Sequence, residues 1–189
     1  MPILGVVASS TRQGQATDTG AMFSLASVIV PSSGTSLITF SSIPQTYKHL
    51  QIRIMSRDAR AATLNNLQMQ INGTTGTPPY TYHSMIADGS TVTADSGTGA
   101  GATDYIYEPS TSTTASVFGV SIFDITNYSD SSQRKAIRMI GGYDANGSGR
   151  VNFTSSLWVD ISPVTTLYFR NSSNANFVQY SSFSLYGIK

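Results

Sequence analysis

An alternation of apolar and polar residues with a period of two is the feature that most constrains the fold of this chain. In HLQIRIMSR it places Leu50, Ile52 and Ile54 on one side of an extended backbone. Successive side chains of a β-strand point to opposite faces, so the pattern is typical of a strand with one buried face. The same alternation occurs in NNLQMQING, SVFGVSIFDI, GRVNFTSSLWV, VTTLYFR and FVQYSSFSLYG, and two earlier candidates are MFSLASVIV and SLITF. No long stretch keeps the 3.6-residue period of an amphipathic helix.

Turn signals separate these predicted strands. Asn72-Gly73, Asp88-Gly89 and Asn146-Gly147 are dipeptides that adopt positive φ readily, as tight β-hairpins require. About eight to ten short strands joined by turns, without crossover helices, indicate an antiparallel structure with one solvated face per sheet. We therefore predict an all-β fold, an antiparallel two-sheet β-sandwich that is jelly-roll-like, formed by residues 22–189 as a single domain.

The segment 88–116 interrupts this rhythm. It is rich in Ser, Thr and Gly and has few large apolar residues outside the YIY of Tyr105–Tyr107. A loop of this length in a compact domain is usually functional or mobile. The alternative is a surface excursion with one short edge strand near Tyr105–Tyr107, and the sequence leaves both interpretations open.

Composition argues against several classes of protein. The chain has no cysteine, so neither disulfides nor thiolate metal sites contribute. Its formal net charge is +1, whereas nucleic-acid binding normally needs a basic patch. Arg53, Arg57 and Arg60, close to Lys48, come nearest to such a patch, and we interpret them as the solvent face of a strand. No apolar run is long enough to cross a bilayer. We predict no nucleic-acid partner and no membrane partner.

Residues that carry enzymatic chemistry are scarce and scattered. The histidines are His49 and His83, and the single glutamate, Glu108, cannot be paired by sequence with any particular aspartate as acid and base. DANGSG resembles the start of a calcium loop, but Ser155 stands where such a loop requires a glutamate, so a hairpin turn is favoured. We predict no enzymatic activity, no cofactor and no metal site.

Several aromatic residues are candidates for ligand contacts. Tyrosine combines an apolar ring with a hydroxyl group, which suits contacts to sugars or proteins. Trp158 alternates with its neighbours Leu157 and Val159, and the sequence leaves open whether it lies in the core, on the surface or at a subunit contact. The possible ligand-facing loop aromatics, which otherwise cap the ends of the sandwich, are Tyr80, Tyr82, Tyr105 and Tyr107.

The chain begins with an apolar stretch, MPILGVVA, followed by the polar SSTRQGQATDTG. The apolar stretch is too short for the core of a signal peptide and no basic residues precede it, so we expect synthesis in the cytoplasm without secretion. We predict an extended N-terminal arm and tether over residues 1–21 whose apolar part docks on a partner. The alternative is that the arm pairs with the sheet of its own domain. The predicted partner-binding residues are Ile3, Leu4, Gly5, Val6 and Val7.

Segments spread over nearly the whole chain resemble small virion structural proteins of tailed bacteriophages. They are MPILGVVASS, FSSIPQTYKHLQIR, GYDANGSG, SLW and FVQYSSFSLYGIK, of which the first and the last are the most specific. The resemblance implies a jelly-roll-like domain in the virion that acts as a capsid decoration (cement) protein. Its implied partners are the major capsid protein or other virion proteins, and it implies a homotrimer at local threefold positions of the shell. The alternative is a tail-fibre or head-fibre protein that binds a host-surface glycan.

Overall fold

The computed structural model describes residues 20–73, 80–103 and 106–189. These residues form two antiparallel sheets that pack as a sandwich, and they contain no helix. The predicted all-β, two-sheet antiparallel sandwich is therefore confirmed, and the arrangement is consistent with a jelly-roll-like fold. Apart from Gly20 and Ala21, the predicted N-terminal arm lies outside the described residues.

The described ranges contain twelve strands, more than the eight to ten that the sequence predicts. The larger sheet has the order β1-β12-β3-β8-β9-β10-β5-β6, and the smaller sheet has the order β2-β11-β4-β7. The strands are β1 (Met22–Ile29), β2 (Ile38–Phe40), β3 (His49–Ser56), β4 (Leu64–Ile71), β5 (Tyr80–Ala87), β6 (Val92–Ala100), β7 (Ile106–Pro109), β8 (Gly119–Ile125), β9 (Lys135–Asp144), β10 (Gly149–Trp158), β11 (Leu167–Asn171) and β12 (Ser182–Ile188).

Strands β5, β6 and β9 have no counterpart among the predicted strands. β6 is an edge strand built mainly from small and polar residues, so no apolar alternation marks it. Together with β7 it occupies much of the segment 88–116, which is therefore not one long loop. Within this segment the chain passes from the edge of the eight-stranded sheet to the edge of the four-stranded sheet, and β7 is the edge strand expected near Tyr105–Tyr107.

The core lies between the two sheets and contains an aromatic cluster. β3, β4, β11 and β12 bury their alternating apolar residues, as predicted. The ring of Phe169 in β11 has its centroid 5.6 Å from that of Phe123 in β8 and 5.8 Å from that of Phe183 in β12. Because β11 belongs to one sheet and β8 and β12 to the other, Phe169 joins the sheets across the core.

The β9–β10 hairpin confirms the turn predicted at Asn146-Gly147. Both residues have positive φ, 63° for Asn146 and 98° for Gly147, which these two residue types adopt at low cost. The Asp144 carboxylate accepts a hydrogen bond of 2.7 Å from the Asn146 N–H. The N–H of Ala145 donates to the carbonyl oxygen of Ser148 at 2.6 Å. DANGSG is thus a hairpin turn, as favoured over a calcium loop.

Strand β10 turns its apolar residues outward, against the expectation of a solvated polar face. Val151 and Phe153 are exposed, whereas Asn152 and Thr154 are fully buried. Trp158 explains this orientation of β10. Its side chain is fully buried, and a shift of the strand register by one residue would turn it towards the solvent. The structure therefore places Trp158 in the core and leaves the apolar side of β10 open.

Arg57, which follows β3, corrects the interpretation of the arginines as solvent-facing. Its side chain is buried, whereas Arg53 and Arg60 are exposed. A guanidinium group has five N–H donors, so one side chain can satisfy several carbonyl groups at once. Arg57 thereby fastens the segment between β7 and β8 to the end of β3 through bonds of 2.8–3.3 Å to the backbone oxygens of Thr111, Thr113, Thr114 and Val117.

Candidate functional site

The outward side of the eight-stranded sheet carries two adjacent rows of mainly apolar residues, which we call the apolar rows. The strand registers place the members of each row side by side, and cross-strand neighbours lie within about 5.5 Å of each other. The first row is Ile29, Ser182, Met55, Val120, Gly142, Val151, Ala87 and Val92. The second row is Ser27, Ser184, Arg53, Ile122, Ile140, Phe153, Met85 and Ala94.

Large side chains at the centre of the apolar rows are open to solvent. Val120, Ile140, Val151 and Phe153 are between 43% and 62% exposed. Single exposed apolar residues are normal on a soluble protein, but a contiguous apolar patch marks a site of interaction. The outward side of this sheet is therefore the strongest candidate for a binding surface.

A polar row borders the apolar rows on one side. The Arg138 guanidinium forms an ion pair of 3.1 Å with the Asp124 carboxylate, and the Gln51 side-chain amide donates to the same carboxylate at 2.9 Å. The two opposite charges therefore compensate each other within the row. The row comprises Ser24, Tyr186, Gln51, Asp124, Arg138, Ser155, His83 and Ser96.

The apolar rows line an open depression of about 970 Å³, and the β5–β6 and β9–β10 turns also contribute to its lining. Gly142 lies in its floor between Val120 and Val151. An added Cβ at Gly142 would collide with the carbonyl oxygen of Arg150, so only glycine allows the two strands to approach here. The floor of the depression therefore has no side chain between Val120 and Val151.

Three of the predicted ligand-facing tyrosines lie on strands rather than in loops. Tyr80 begins β5 and is fully buried, and its hydroxyl accepts a hydrogen bond of 2.7 Å from the N–H of Ile71. The prediction that Tyr80 faces a ligand is therefore wrong, because its side chain, at the start of β5, packs in the core. Tyr82 is partly exposed and its ring lies over Gly97 of β6, its cross-strand partner.

Tyr107, in β7, is partly exposed and contacts a cation. The Arg150 guanidinium lies 4.9 Å from the centroid of its ring, a cation–π arrangement. Tyr105 lies outside the described residues. The predicted partner-binding residues of the arm, Ile3, Leu4, Gly5, Val6 and Val7, also lie outside them, so their role stays a prediction.

Glu108 lies in a buried polar cluster between the sheets rather than in a cleft. The hydroxyl of Ser56 donates to its Oε2 atom, and its Oε1 atom is buried without a hydrogen-bond partner. Burial, together with the negative charge of Asp58, raises the pKa of Glu108 to about 8, against the opposing effect of the hydrogen bond from Ser56. The carboxyl group is thus mainly protonated at neutral pH. Because it is 1% exposed, it bears on stability and not on contact with a substrate.

Lys135, at the start of β9, is a second buried cation with a structural role. Its ammonium group donates hydrogen bonds to the carbonyl oxygens of Asp130, Gln133 and Ile161, the last two at 2.5 Å and 2.9 Å. Burial lowers the pKa of Lys135, and the carboxylates of Asp130 and Asp160 oppose that change. All three N–H donors of the ammonium group are used. The group therefore joins the loop before β9 to the segment after β10 rather than binding a ligand.

Strand β8 carries a sequence signal for the apolar rows that the period-two alternation alone does not reveal. In β8, Val120 and Ile122 lie on one side while Phe123 and Ile125 lie on the other. A strand with apolar residues on both sides needs cover on both sides, and the four-stranded sheet covers only one of them. Such a strand therefore indicates either a third layer or a binding surface.

Within the described ranges, no group of three or more His, Cys, Asp or Glu side chains is placed to hold a metal ion. The same residues include no helix of the length and apolarity that a membrane span requires.

No family model and no curated protein matches this chain. Among solved structures, the crystal structure of the galectin LEC-6 from Caenorhabditis elegans aligns with 86% of this chain and 95% of its own chain. The sequence identity is 8% and the TM-score is 0.30. A TM-score this low does not establish a common fold, so the function has to be inferred from the surface of the protein itself.

Proposed function

We propose that this protein is a structural subunit of a tailed-phage virion, a capsid decoration protein that binds the major capsid protein and stabilises the shell. The observation that carries the proposal is the pair of apolar rows on the outward side of the eight-stranded sheet. Covering such a surface with another protein is favourable, because it removes apolar area from water. The resemblance of MPILGVVASS and FVQYSSFSLYGIK to small virion proteins of tailed phages supplies the identity of the partner.

The outward side has the layout of a protein–protein interface. Interfaces have an apolar centre and a polar rim, and here Val120, Ile140 and Phe153 form the centre while Asp124 and Arg138 belong to the rim. Each large apolar side chain that becomes fully buried contributes about 1.5–3 kcal/mol before the costs of association are subtracted. Covering the apolar rows therefore favours attachment to a shell, and a homotrimer at its local threefold positions remains part of the proposal.

Adding hydroxyl groups to the centre of the apolar rows should abolish attachment without unfolding the protein. The triple variant Val120→Thr, Ile140→Thr and Val151→Thr keeps β-branched side chains, which favour strands. Each hydroxyl that is buried without a partner costs about 1–3 kcal/mol. We therefore expect the affinity for shells of the phage's major capsid protein, measured by co-sedimentation, to fall at least about 100-fold.

Ile161→Thr is the matched control for this experiment. Ile161 is 50% exposed, as is Ile140, but it lies after β10 and outside the apolar rows. This variant should bind shells like the unchanged protein. If the folded triple variant also binds like the unchanged protein, the outward side is not the shell contact.

The copy number of the protein per virion, measured by quantitative mass spectrometry, is a second test. We expect a copy number in proportion to the number of capsid positions. A copy number as low as that of a tail protein would contradict decoration.

A fibre protein that binds a host-surface glycan is the second candidate function. The observation that favours it is a polar cleft of about 410 Å³ whose lining includes Ser90, Ser112, Thr113 and Arg150. Hydroxyl and guanidinium groups suit hydrogen bonds to sugar hydroxyls. The Arg150 guanidinium also lies over Tyr107, one of the aromatics expected to face a ligand.

Binding of the purified protein to a glycan array would support the second function. Loss of a charge-assisted hydrogen bond costs about 1.5–3 kcal/mol, so Arg150→Gln should weaken binding at least about 10-fold. Arg134→Gln, at an exposed arginine outside the cleft, is the control and should have no effect. Absence of binding to host-envelope glycans would remove this candidate.

A further inference from the structure

We propose that in the free protein the apolar stretch Ile3–Val7 packs onto the apolar rows of the same chain and covers them until the shell takes its place. The proposal goes beyond the proposed function because it names what occupies the surface before assembly. The proposed function is needed only for the later step, in which the shell replaces this stretch on the apolar rows. The packing of the stretch within one chain can be tested without any shell.

The apolar rows and this stretch are chemically complementary. Val120 and Val151 flank Gly142 in the floor of the depression, and both are more than half exposed in the described part of the chain. The stretch ILGVV carries four aliphatic side chains and no charge. Its Gly5 has no side chain, which permits a close approach of the backbone to a surface. Two apolar surfaces in one molecule that are both left in water would favour self-association.

The tether is long enough for this contact. The described chain starts at Gly20, two residues before β1, which is an edge strand of the same eight-stranded sheet. Val120 and Ile140 lie on the fourth and fifth strands from that edge. At about 4.8 Å between strands and about 3.3 Å per residue along them, the centre of the apolar rows is roughly 25–35 Å from Gly20. The chain from residue 8 to residue 20 spans on the order of 40 Å when extended.

The same chain is favoured over a second copy as the source of the stretch. Joining two binding groups through a tether of this length gives an effective local concentration in the millimolar range. A stretch from a second copy of the chain competes for the apolar rows only when the protein itself is at a millimolar concentration. The lining of the depression extends from Ser182 and Ser184 of β12, the neighbour of β1, to Val151 of β10, so a segment that comes from β1 meets it on the nearest strand.

Disulfide trapping tests the contact cleanly, because the chain has no cysteine of its own. In the variant Leu4→Cys with Ile140→Cys, a bond forms only if the two Cα atoms come within about 7 Å of each other. The control is Leu4→Cys with Ile161→Cys, since Ile161 is as exposed as Ile140 but lies outside the apolar rows. In a glutathione redox buffer we expect the first pair to close within one chain at least 10-fold faster than the control pair, at a rate independent of protein concentration.

Two results would overturn the proposal. Equal rates for the two pairs would mean that the stretch has no preference for the apolar rows. Disulfides mainly between chains, seen as a dimer on a non-reducing gel, would mean that a second copy supplies the stretch. A second pair, Val6→Cys with Val120→Cys, should repeat the rapid closure and guards against a local effect of one substitution.

The trapped protein then separates this inference from the proposed function. If the shell replaces the stretch, the disulfide-closed variant should bind shells at least 10-fold more weakly than the same protein after reduction. Rapid closure together with undiminished shell binding would support the contact within the chain and contradict the shell site on the apolar rows.

Discussion

Raising the pH from 5 to 9 is expected to lower the free energy of unfolding of this protein by about 4 kcal/mol. The cause is Glu108, whose pKa is raised from 4.5 to about 8, first by burial and then by the charge of Asp58. The native state keeps a proton that the unfolded chain releases above pH 4.5. The stabilisation is therefore fully present below pH 4.5, decreases as the pH rises, and is lost above about pH 8.

Other perturbed carboxyl groups do not mask this effect. Hydrogen bonds from the backbone N–H groups of Thr91 and Ser90 lower the pKa of Asp88 to about 2. Hydrogen bonds from Ser132 lower the pKa of Asp130 in the same way. A carboxyl group with a lowered pKa stabilises the native state above pH 3.8, and this stabilisation is lost as the pH falls. It therefore changes outside the interval from pH 5 to pH 9.

Glu108→Gln is the variant that isolates the effect, because glutamine keeps an oxygen that can accept from Ser56 but does not ionise. We expect the change in unfolding free energy between pH 5 and pH 9 to shrink to less than about 1 kcal/mol in this variant. Urea unfolding followed by the fluorescence of Trp158, the single buried tryptophan, measures it directly. An unaltered pH dependence in Glu108→Gln would rule out Glu108 as the cause.

Phe169→Ala is expected to cost about 3–5 kcal/mol of unfolding free energy. The Phe169 ring is fully buried and lies between Phe123 and Phe183 of the opposite sheet, with Phe40 also 6.2 Å away between centroids. Removing the ring leaves a cavity at the junction of the sheets and breaks all three aromatic contacts. For a protein of this size, such a loss lowers Tm by roughly 8–15 °C.

Ile161→Ala is the control for this variant. Ile161 is 50% exposed and lies outside the apolar rows, so its truncation should change the unfolding free energy by less than about 1 kcal/mol. A loss at Ile161 as large as that at Phe169 would show that the loss does not come from the burial of Phe169 between the sheets. A small loss at Phe169 would contradict its role in joining the sheets. Scanning calorimetry of both variants distinguishes these outcomes.

The all-β class and most of the core could be predicted because they are local properties of the chain. The alternation in β3 and β11 specifies one buried side, and Asn146-Gly147 specifies a hairpin turn, without any knowledge of neighbouring strands. β6 could not be predicted in this way. It is held by pairing with β5 at the sheet edge, and its own residues carry no apolar pattern.

The roles of charged residues were hidden for the same reason. Arg57 looks like one more strand arginine, and it is buried only because the segment 111–117 folds over it. Glu108 looks like a surface acid in a polar loop, and it is buried only because β7 pairs with the edge of the four-stranded sheet. Both environments depend on contacts between residues that are far apart in sequence.

The antiparallel sandwich and the apolar character of the first eight residues are both readable in the amino-acid sequence alone. For strands with apolar residues on both sides, such as β8 and β10, the side that faces the core follows only from the contacts between strands and sheets, because it depends on register and on which side the second sheet covers. In β10 the buried Trp158 turns Val151 and Phe153 outward, and the neighbouring strands bring Val120 and Ile140 beside them. The apolar rows cross all eight strands of the larger sheet and take only two residues from each, so in the sequence they leave a trace only where a strand such as β8 has apolar residues on both sides.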